Sequence, residues 1–287
     1  MTAGGLTTKL MLADYQERFV ENLRGFIAVN WLRRRPKIRI LDSGCDTSGH
    51  QLRRIAALTR GEVVGINPAP GFPSAESIAA AGDRVTLVGM DGMNLRFPDE
   101  FFDLVVSANV MEHVPDPAAY LRECARVLKP HGRAWIETSP VWTGPRGHHI
   151  HEDMVASNCP NETTYRNNGT VIPDWAHLTH TPSEMEIILR QKLQQDTVAY
   201  IMHYLHGTRD LNKTGWRAMR AAFENAFPWQ KIAAWDLPEA DPGLMPKDGA
   251  DDYKIIGFAA QLRKRAPQRL AYGISRRLIW RLRRMGI

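Results

Sequence analysis

One stretch limits the chain more than any other: Ile40-Leu41-Asp42-Ser43-Gly44-Cys45-Asp46-Thr47-Ser48-Gly49-His50. An apolar, β-branched run that stops in small turn-forming residues and passes into a helical pattern is a strand, a tight loop and a helix start. In an open α/β sheet such a crossing is where a nucleotide-like ligand sits, facing loop N–H groups and the helix N-terminus. A dinucleotide fingerprint would place glycines at 44, 46 and 49, whereas here Asp46 stands between Gly44 and Gly49. A carboxylate at the middle position would crowd and repel a pyrophosphate, so the loop suits a cationic ligand without phosphates.

With 287 residues, 44% of them hydrophobic, the chain can bury one sizeable core, and a single α/β domain with insertions is expected. Its apolar runs fall short of the ~20 residues that cross a bilayer, and Met1-Thr2-Ala3-Gly4-Gly5 is not a charged region leading into an apolar segment. A soluble, cytoplasmic protein is the expectation. Cys45, Cys124 and Cys159 form no Cys-x-x-Cys pair, which suggests neither a disulfide framework nor a zinc knuckle. The net charge of +6 is uneven: residues 263–287 hold nine Lys/Arg and no Asp/Glu, so the rest, with 28 basic against 31 acidic residues, stands at −3. No nucleic-acid partner is expected from such a body. The basic tail pairs its arginines with Ala271, Ile274, Leu278, Leu282 and Met285. As a helix it would be amphipathic, suited to weak membrane-surface contact or to self-association as a homodimer.

Along the chain, apolar residues at helical spacing over 10–33, including Leu12, Phe19, Leu23, Phe26, Ile27 and Trp31, predict an N-terminal helix that Pro36 ends. Strands are predicted at 37–42, 62–67, 85–88, 103–107 and 133–138, with helices over 52–58 and from the cap Asp116, with Pro117 at the first helical position, to 128. Asn67 ends the second strand, where an acidic side chain would accept from ribose hydroxyls, and its amide oxygen can still accept. Asp91, after the third strand, could accept from an adenine amino group. Further on, Thr181-Pro182-Ser183-Glu184 is a capping box opening a long helix through about 205; a second helix near 214–227 precedes strands at 230–236 and 253–262.

The first loop resembles motif I of class I S-adenosylmethionine-dependent methyltransferases, usually Leu-Asp-x-Gly-Cys-Gly-x-Gly. Asp91-Gly92-Met93-Asn94-Leu95-Arg96-Phe97-Pro98 is similar to the Asp-Gly-x-x-Leu-Pro-Phe segment of the type 11 methyltransferases. Glu112-His113-Val114-Pro115-Asp116 and Leu128-Lys129-Pro130-His131-Gly132 add to the resemblance, which runs in order over about 37–140. It implies an α/β fold, a Rossmann-like seven-stranded mostly parallel sheet with helices on both faces and an inserted substrate lid. It also implies S-adenosylmethionine as cofactor, held through Asp42, Gly44, Cys45, Asp46, Asn67, Asp91, Gly92 and Asn109. The expected organisation is an N-terminal helix (1–36), a cofactor-binding core (37–140), a substrate-binding insertion with helices (141–228), C-terminal strands (229–262) and the basic tail (263–287). The irregular Asp46, Ser48 and Asn67 leave a non-catalytic cofactor-binding relative as an alternative.

From Ser139 the composition changes to a stretch rich in His, Trp and Arg, expected to form the acceptor pocket. A hydroxyl acceptor needs a base, and His113, His148, His149, His151 and His177 are candidates, since a histidine pKa near about 6.5 suits proton removal. The expected catalytic residues are His113, His148, His149 and Trp142. A thioether acceptor needs no base, and its sulfonium product would favour the faces of Trp142, Tyr165 and Trp175, with Arg146 or Arg209 gripping a carboxylate. His151, His177 and Asn212 complete the expected acceptor-binding set. A similarity in class and size to bacterial methionine S-methyltransferases keeps methionine S-methylation open, and the combination of aromatics with arginines, without a long aromatic-lined sugar groove, puts it ahead of O-methylation of a sugar or surface glycan, which the insertion also resembles. No metal is expected, because no two acidic or cysteine residues join the histidines at a ligand spacing and transfer from a sulfonium needs none.

Overall fold

Phe102-Asp103-Leu104-Val105-Val106-Ser107 is buried throughout, the mark of a central parallel strand covered on both faces. In the computed structural model, which describes residues 17–29, 37–46, 49–59, 61–69, 84–165, 171–248 and 250–265, this is β4 (Phe102–Ala108). Before it come β1 (Arg39–Ser43), β2 (Glu62–Asn67) and β3 (Val85–Gly89); after it come β5 (Leu128–Thr138), β6 (Trp229–Asp236) and β7 (Ile255–Arg263). The sheet order is β3-β2-β1-β4-β5-β7-β6. The first five strands are parallel, and β7 inserts antiparallel between β5 and β6. The order reverses between β1 and β4, so their carboxyl ends open the crevice where ligands bind in such sheets.

The helices are α1 (residues 17–29), α2 (His50–Leu58), α3 (Pro117–Val127), α4 (Glu152–Asn158), α5 (Ala176–Thr179), α6 (Pro182–Arg190), α7 (Gln195–Met202), α8 (Trp216–Ala226) and α9 (Ala250–Lys254). Side chains alternate across a strand, so Ile40 and Leu104 join Phe19 and Leu23 of α1 and Leu52 of α2, whereas Leu41 and Val105 face the opposite cluster with α3 and α8. There Phe258 of β7 meets Trp216 and Phe223 at 5.2 and 5.3 Å between ring centroids. A third apolar cluster, including Val155, Met185, Leu189, Val198 and Ile201, unites α4, α6 and α7 in the inserted region.

The capping box at Thr181 is present, with Glu184 Oε2 accepting from Thr181 N at 2.8 Å. The single helix expected beyond it is divided. Gln194 is extended and donates its N–H to Glu162 Oε2 at 3.1 Å, and its side chain donates to Asn161 O at 2.6 Å. A distant turn thus takes the donor that a continuous helix would have used, and after α7 the chain closes in a π-helical turn, His203–Gly207. Leu12, Trp31, Thr47, Ser48, Arg166 and the tail after Arg265, with its membrane and homodimer readings, lie outside the described residues. No helix among the described residues is long and apolar enough to cross a membrane.

Arg126 of α3 ties down the segment after β3. Its guanidinium donates to Glu123 and to Asp99, all at 2.7 Å, and to the carbonyls of Leu95 and Phe97 at 2.7 and 2.9 Å. Arg126→Met keeps the length and removes every donor, which should lower stability by about 2 kcal/mol, after allowing for partial exposure. Urea denaturation checks this, and an unchanged midpoint would show that the clamp contributes nothing.

Candidate active site

The loops following β1 to β4 converge on a cavity of about 290 Å³. Ser43 and Gly44 form one wall, Asn109 and Val110 another, with Asn67, Asp91, Gly92, Met93, His113 and Tyr120 around them. The walls meet because Gly44 has φ +92° and no side chain: a Cβ there would stand 2.1 Å from Val110 Cγ2. The N–H groups of Gly44 and Cys45 both donate to Ile66 O, at 2.8 and 3.0 Å, which locks the loop onto β2. Gly92 is as constrained, since its Cβ would meet the Tyr120 ring at 2.6 Å. The Tyr120 hydroxyl donates to Ser43 O at 3.2 Å and lies 2.8 Å from Ser107 Oγ.

Among the described residues lining the cavity none is Lys or Arg, so it offers nothing to neutralise phosphates. Ile66, Met90, Met93, Val110, Val114 and Pro115 supply apolar surface for a flat base, and Asp91 supplies negative charge. The lining therefore fits a nucleoside that carries positive charge and no phosphate.

The expected cofactor residues divide. Gly44, Asn67, Asp91, Gly92 and Asn109 line the cavity. Asn109 stands at φ 51° with its N–H donated to Glu137 O at 3.0 Å. Asp91 Oδ1 accepts from Met93 N at 2.8 Å, folding the loop over the opening. The Asn67 carboxamide braces two loops, donating to Cys45 O and accepting from Ala69 N, each at 2.9 Å. Cys45 and Asp46 are placed differently from the expectation. Cys45 packs into the α1–α2 cluster, where burial pushes its thiol pKa far up. Asp46 accepts from Gln51 N at 3.1 Å and His50 N at 3.4 Å, capping α2, because a carboxylate ahead of a helix satisfies its free N–H groups.

Asp42 lies beneath the cavity, 1% exposed, with Oδ2 accepting from Gln51 Nε2 at 3.1 Å and Oδ1 without a partner. Burial raises its pKa to about 7 against the Gln51 hydrogen bond, which lowers it, and the Asp46 charge adds to the rise. The native state therefore keeps a proton that the unfolded chain releases near pH 4, so Asp42 costs stability as pH rises from about 4 to about 7. In Asp42→Asn that cost is absent, and the variant should gain on the wild type across this window by up to about 1.4 kcal/mol per pH unit. Denaturation at pH 4.5 and pH 7.5 decides it; the same difference at both would sink the assignment.

Beside His113 the structure brings Glu112 and His149, with one ligand-capable atom from each of the three within 4.8 Å of the others. His113 Nδ1 donates to Asp210 O at 2.7 Å, leaving the Nε2 lone pair free of that bond. Burial pushes His149 down to about 3, aided by His113 and His151, and its ring lies 4.9 Å from that of His113. Glu112 is 3% exposed and accepts from Thr138 Oγ1 at 2.7 Å; burial lifts its pKa to about 7 against the His113 charge. Glu112 was not assigned a role from the sequence, where it counted only towards the resemblance of Glu112-His113-Val114-Pro115-Asp116; its burial and its neighbours come from the fold.

The other residues expected around the acceptor serve the insertion itself. Buried His148 accepts from Ile150 N at 3.0 Å, and His151 caps α4 by accepting from Met154 N at 3.3 Å. His177, pushed down to about 4 by burial, donates Nε2–H to Trp142 O at 2.7 Å and meets the Trp142 ring at 4.8 Å. Tyr165 is buried in the third cluster with its hydroxyl on Ile150 O at 3.0 Å, and Trp175 donates Nε1–H to Tyr253 O at 3.0 Å. Arg146 pairs with Asp174 and Glu239 at 3.5 and 3.6 Å, while Arg209 is exposed. Asn212 holds the loop after β4, donating its side chain to the Met111 and Val114 carbonyls and its N–H to Glu112 O. Of the acceptor set, then, His113 borders the cavity and His149 adjoins His113, while none of the others is among the residues lining the cavity.

An open sheet of this order, with a cavity free of Lys and Arg among its described lining residues at the point of reversal, defines the class of open α/β proteins that take a ligand at the carboxyl ends of their strands. Residues 41–136 match the family described as "Methyltransferase domain". The chain is 41% identical over 86 residues to an uncharacterized methyltransferase of Mycobacterium avium (strain 104), covering 30% of this chain and 34% of that protein. It is 42% identical over 88 residues to another from Mycobacterium sp. (strain JLS), covering 31% and 34%. The match thus spans about a third of the length of these curated relatives. A crystal structure of an S-adenosylmethionine dependent methyltransferase from Mesorhizobium loti superposes with a TM-score of 0.46 at 16% identity, covering 80% of this chain and 92% of that one. The matched stretch is a class I S-adenosylmethionine-dependent methyltransferase domain, and S-adenosylmethionine is the cofactor of that family.

Proposed function

We propose that the protein transfers a methyl group from S-adenosylmethionine to a hydroxyl of a small polar acceptor. The observation that carries this reading is the Glu112, His113 and His149 cluster at the edge of the cofactor cavity. When bound, the cofactor supplies an electrophilic methyl group on a sulfonium. The chain's own part is to align the acceptor oxygen, exclude water and take away the hydroxyl proton, for which His113 offers the Nε2 lone pair. Methionine S-methylation draws less support, because a thioether needs no base and its aromatic residues are engaged elsewhere. The Trp142 ring already faces Lys213 Nζ at 5.4 Å, and Tyr165 lies in the helical core. Cys45, Cys124 and Cys159 are buried free thiols, which accords with a reducing, cytoplasmic setting.

The test is formation of S-adenosylhomocysteine with a panel of sugars and other small hydroxyl compounds beside methionine and related thioethers. Turnover on a hydroxyl compound that falls steeply in His113→Ala supports the reading. Turnover confined to thioethers and indifferent to His113 would replace it with sulfur methylation, and cofactor binding without turnover on any acceptor would favour a non-catalytic relative.

A further inference from the structure

We propose that Glu112, His113 and His149 bind a divalent transition-metal ion at the edge of the cofactor cavity, the ion's use in catalysis resting on the hydroxyl reading above. Each residue presents one ligand-capable atom, all within 4.8 Å of one another. The sequence argued against a metal because no two acidic or cysteine residues stood at ligand spacing from the insertion's histidines. The fold supplies an acid from the β4–α3 loop.

Three features of the cluster point to a cation. Glu112 Oε2 accepts from Thr138, but Oε1 is buried with no partner, and such an oxygen is costly unless a positive charge meets it. His113 donates Nδ1–H to a backbone carbonyl, the second contact by which metal-bound histidines are oriented, and this leaves Nε2 to bind. Nδ1 of His149 is likewise buried without a partner, on a residue held at φ 56° by a turn in which its N–H donates to Arg146 O at 3.1 Å. The Asn212 bonds to the Met111, Glu112 and Val114 carbonyls hold the supporting loop in place.

Two imidazoles and one carboxylate suit zinc, cobalt, manganese or iron(II) better than calcium or magnesium, which prefer all-oxygen shells. Three protein ligands leave open positions, and His113, exposed and bordering the cavity, puts those positions where an acceptor would enter. With its Nε2 on the ion, His113 would act as a ligand in place of the proton acceptor described above; a hydroxyl bound to the ion would release its proton to water and would be held towards the cofactor.

Titrating the metal-free full chain with Co²⁺ and Zn²⁺ by calorimetry, with Co²⁺ absorption recorded in parallel, tests the site. The expected result is one ion per chain, with affinity at least about tenfold lower in Glu112→Gln and in His149→Ala. Both variants should keep their circular dichroism and bind S-adenosylhomocysteine. If either fails to fold, His113→Gln, at an exposed position, takes its place. Absence of binding to the folded wild type, or unweakened binding by the variants, overturns the proposal. Hydroxyl turnover that survives a chelator, on protein shown to hold no ion, also overturns it and leaves the hydroxyl reading intact. Ion binding that depends on Glu112 and His149 without hydroxyl turnover upholds the site and removes the hydroxyl reading.

Discussion

Gly44→Ala will weaken S-adenosylhomocysteine binding by about a hundredfold, or about 3 kcal/mol. The added Cβ would lie 2.1 Å from Val110 Cγ2 and 2.9 Å from Cγ1, at a φ of +92° that only glycine adopts easily. Relief requires the β1 loop to move away from Val110, and these two are adjoining walls of the cavity. Adding Val110→Ala removes the clashing methyls and should restore part of the affinity, leaving about 1 to 2 kcal/mol of backbone strain. Calorimetry on the single and double variants separates the terms. A single variant that binds like the wild type, or a double variant no better than the single, would show that these walls do not shape the site.

The second large effect falls on the rate. His113→Ala should reduce kcat on a hydroxyl acceptor by about 10²- to 10⁴-fold, the usual contribution of a positioned proton acceptor. Cofactor affinity should change far less, because His113 is one of many residues around the cavity and the Asp91, Gly92 and Gly44 loops stay as they are. The split between kcat and cofactor affinity is the diagnostic, since loop collapse would lower both together. A loss under tenfold in kcat would move proton removal to another group.

Much of the fold was legible because it depends on local chemistry. The strand, loop and helix over Ile40 to His50, the cap at Asp116 followed by Pro117 and the capping box at Thr181 each follow from periodicity and turn residues within a short window.

Roles of polar side chains were less legible, because a carboxylate or an imidazole does what its neighbours allow and those neighbours come from far along the chain. Asp46, suited by charge to a cationic ligand, caps α2. Tyr165 and Trp175, suited by their rings to a sulfonium, spend their hydroxyl and indole N–H groups on Ile150 and Tyr253. The helix after Thr181 breaks at Gln194 because Glu162 reaches its N–H. By itself the sequence determined the seven strands, their wrapping helices and the tight turn after the first strand, all set by short-range pattern and backbone sterics. Only the tertiary structure decided that Glu112 would meet His113 and His149, because burial and long-range contact, not spacing in the chain, bring a reactive group to its partners.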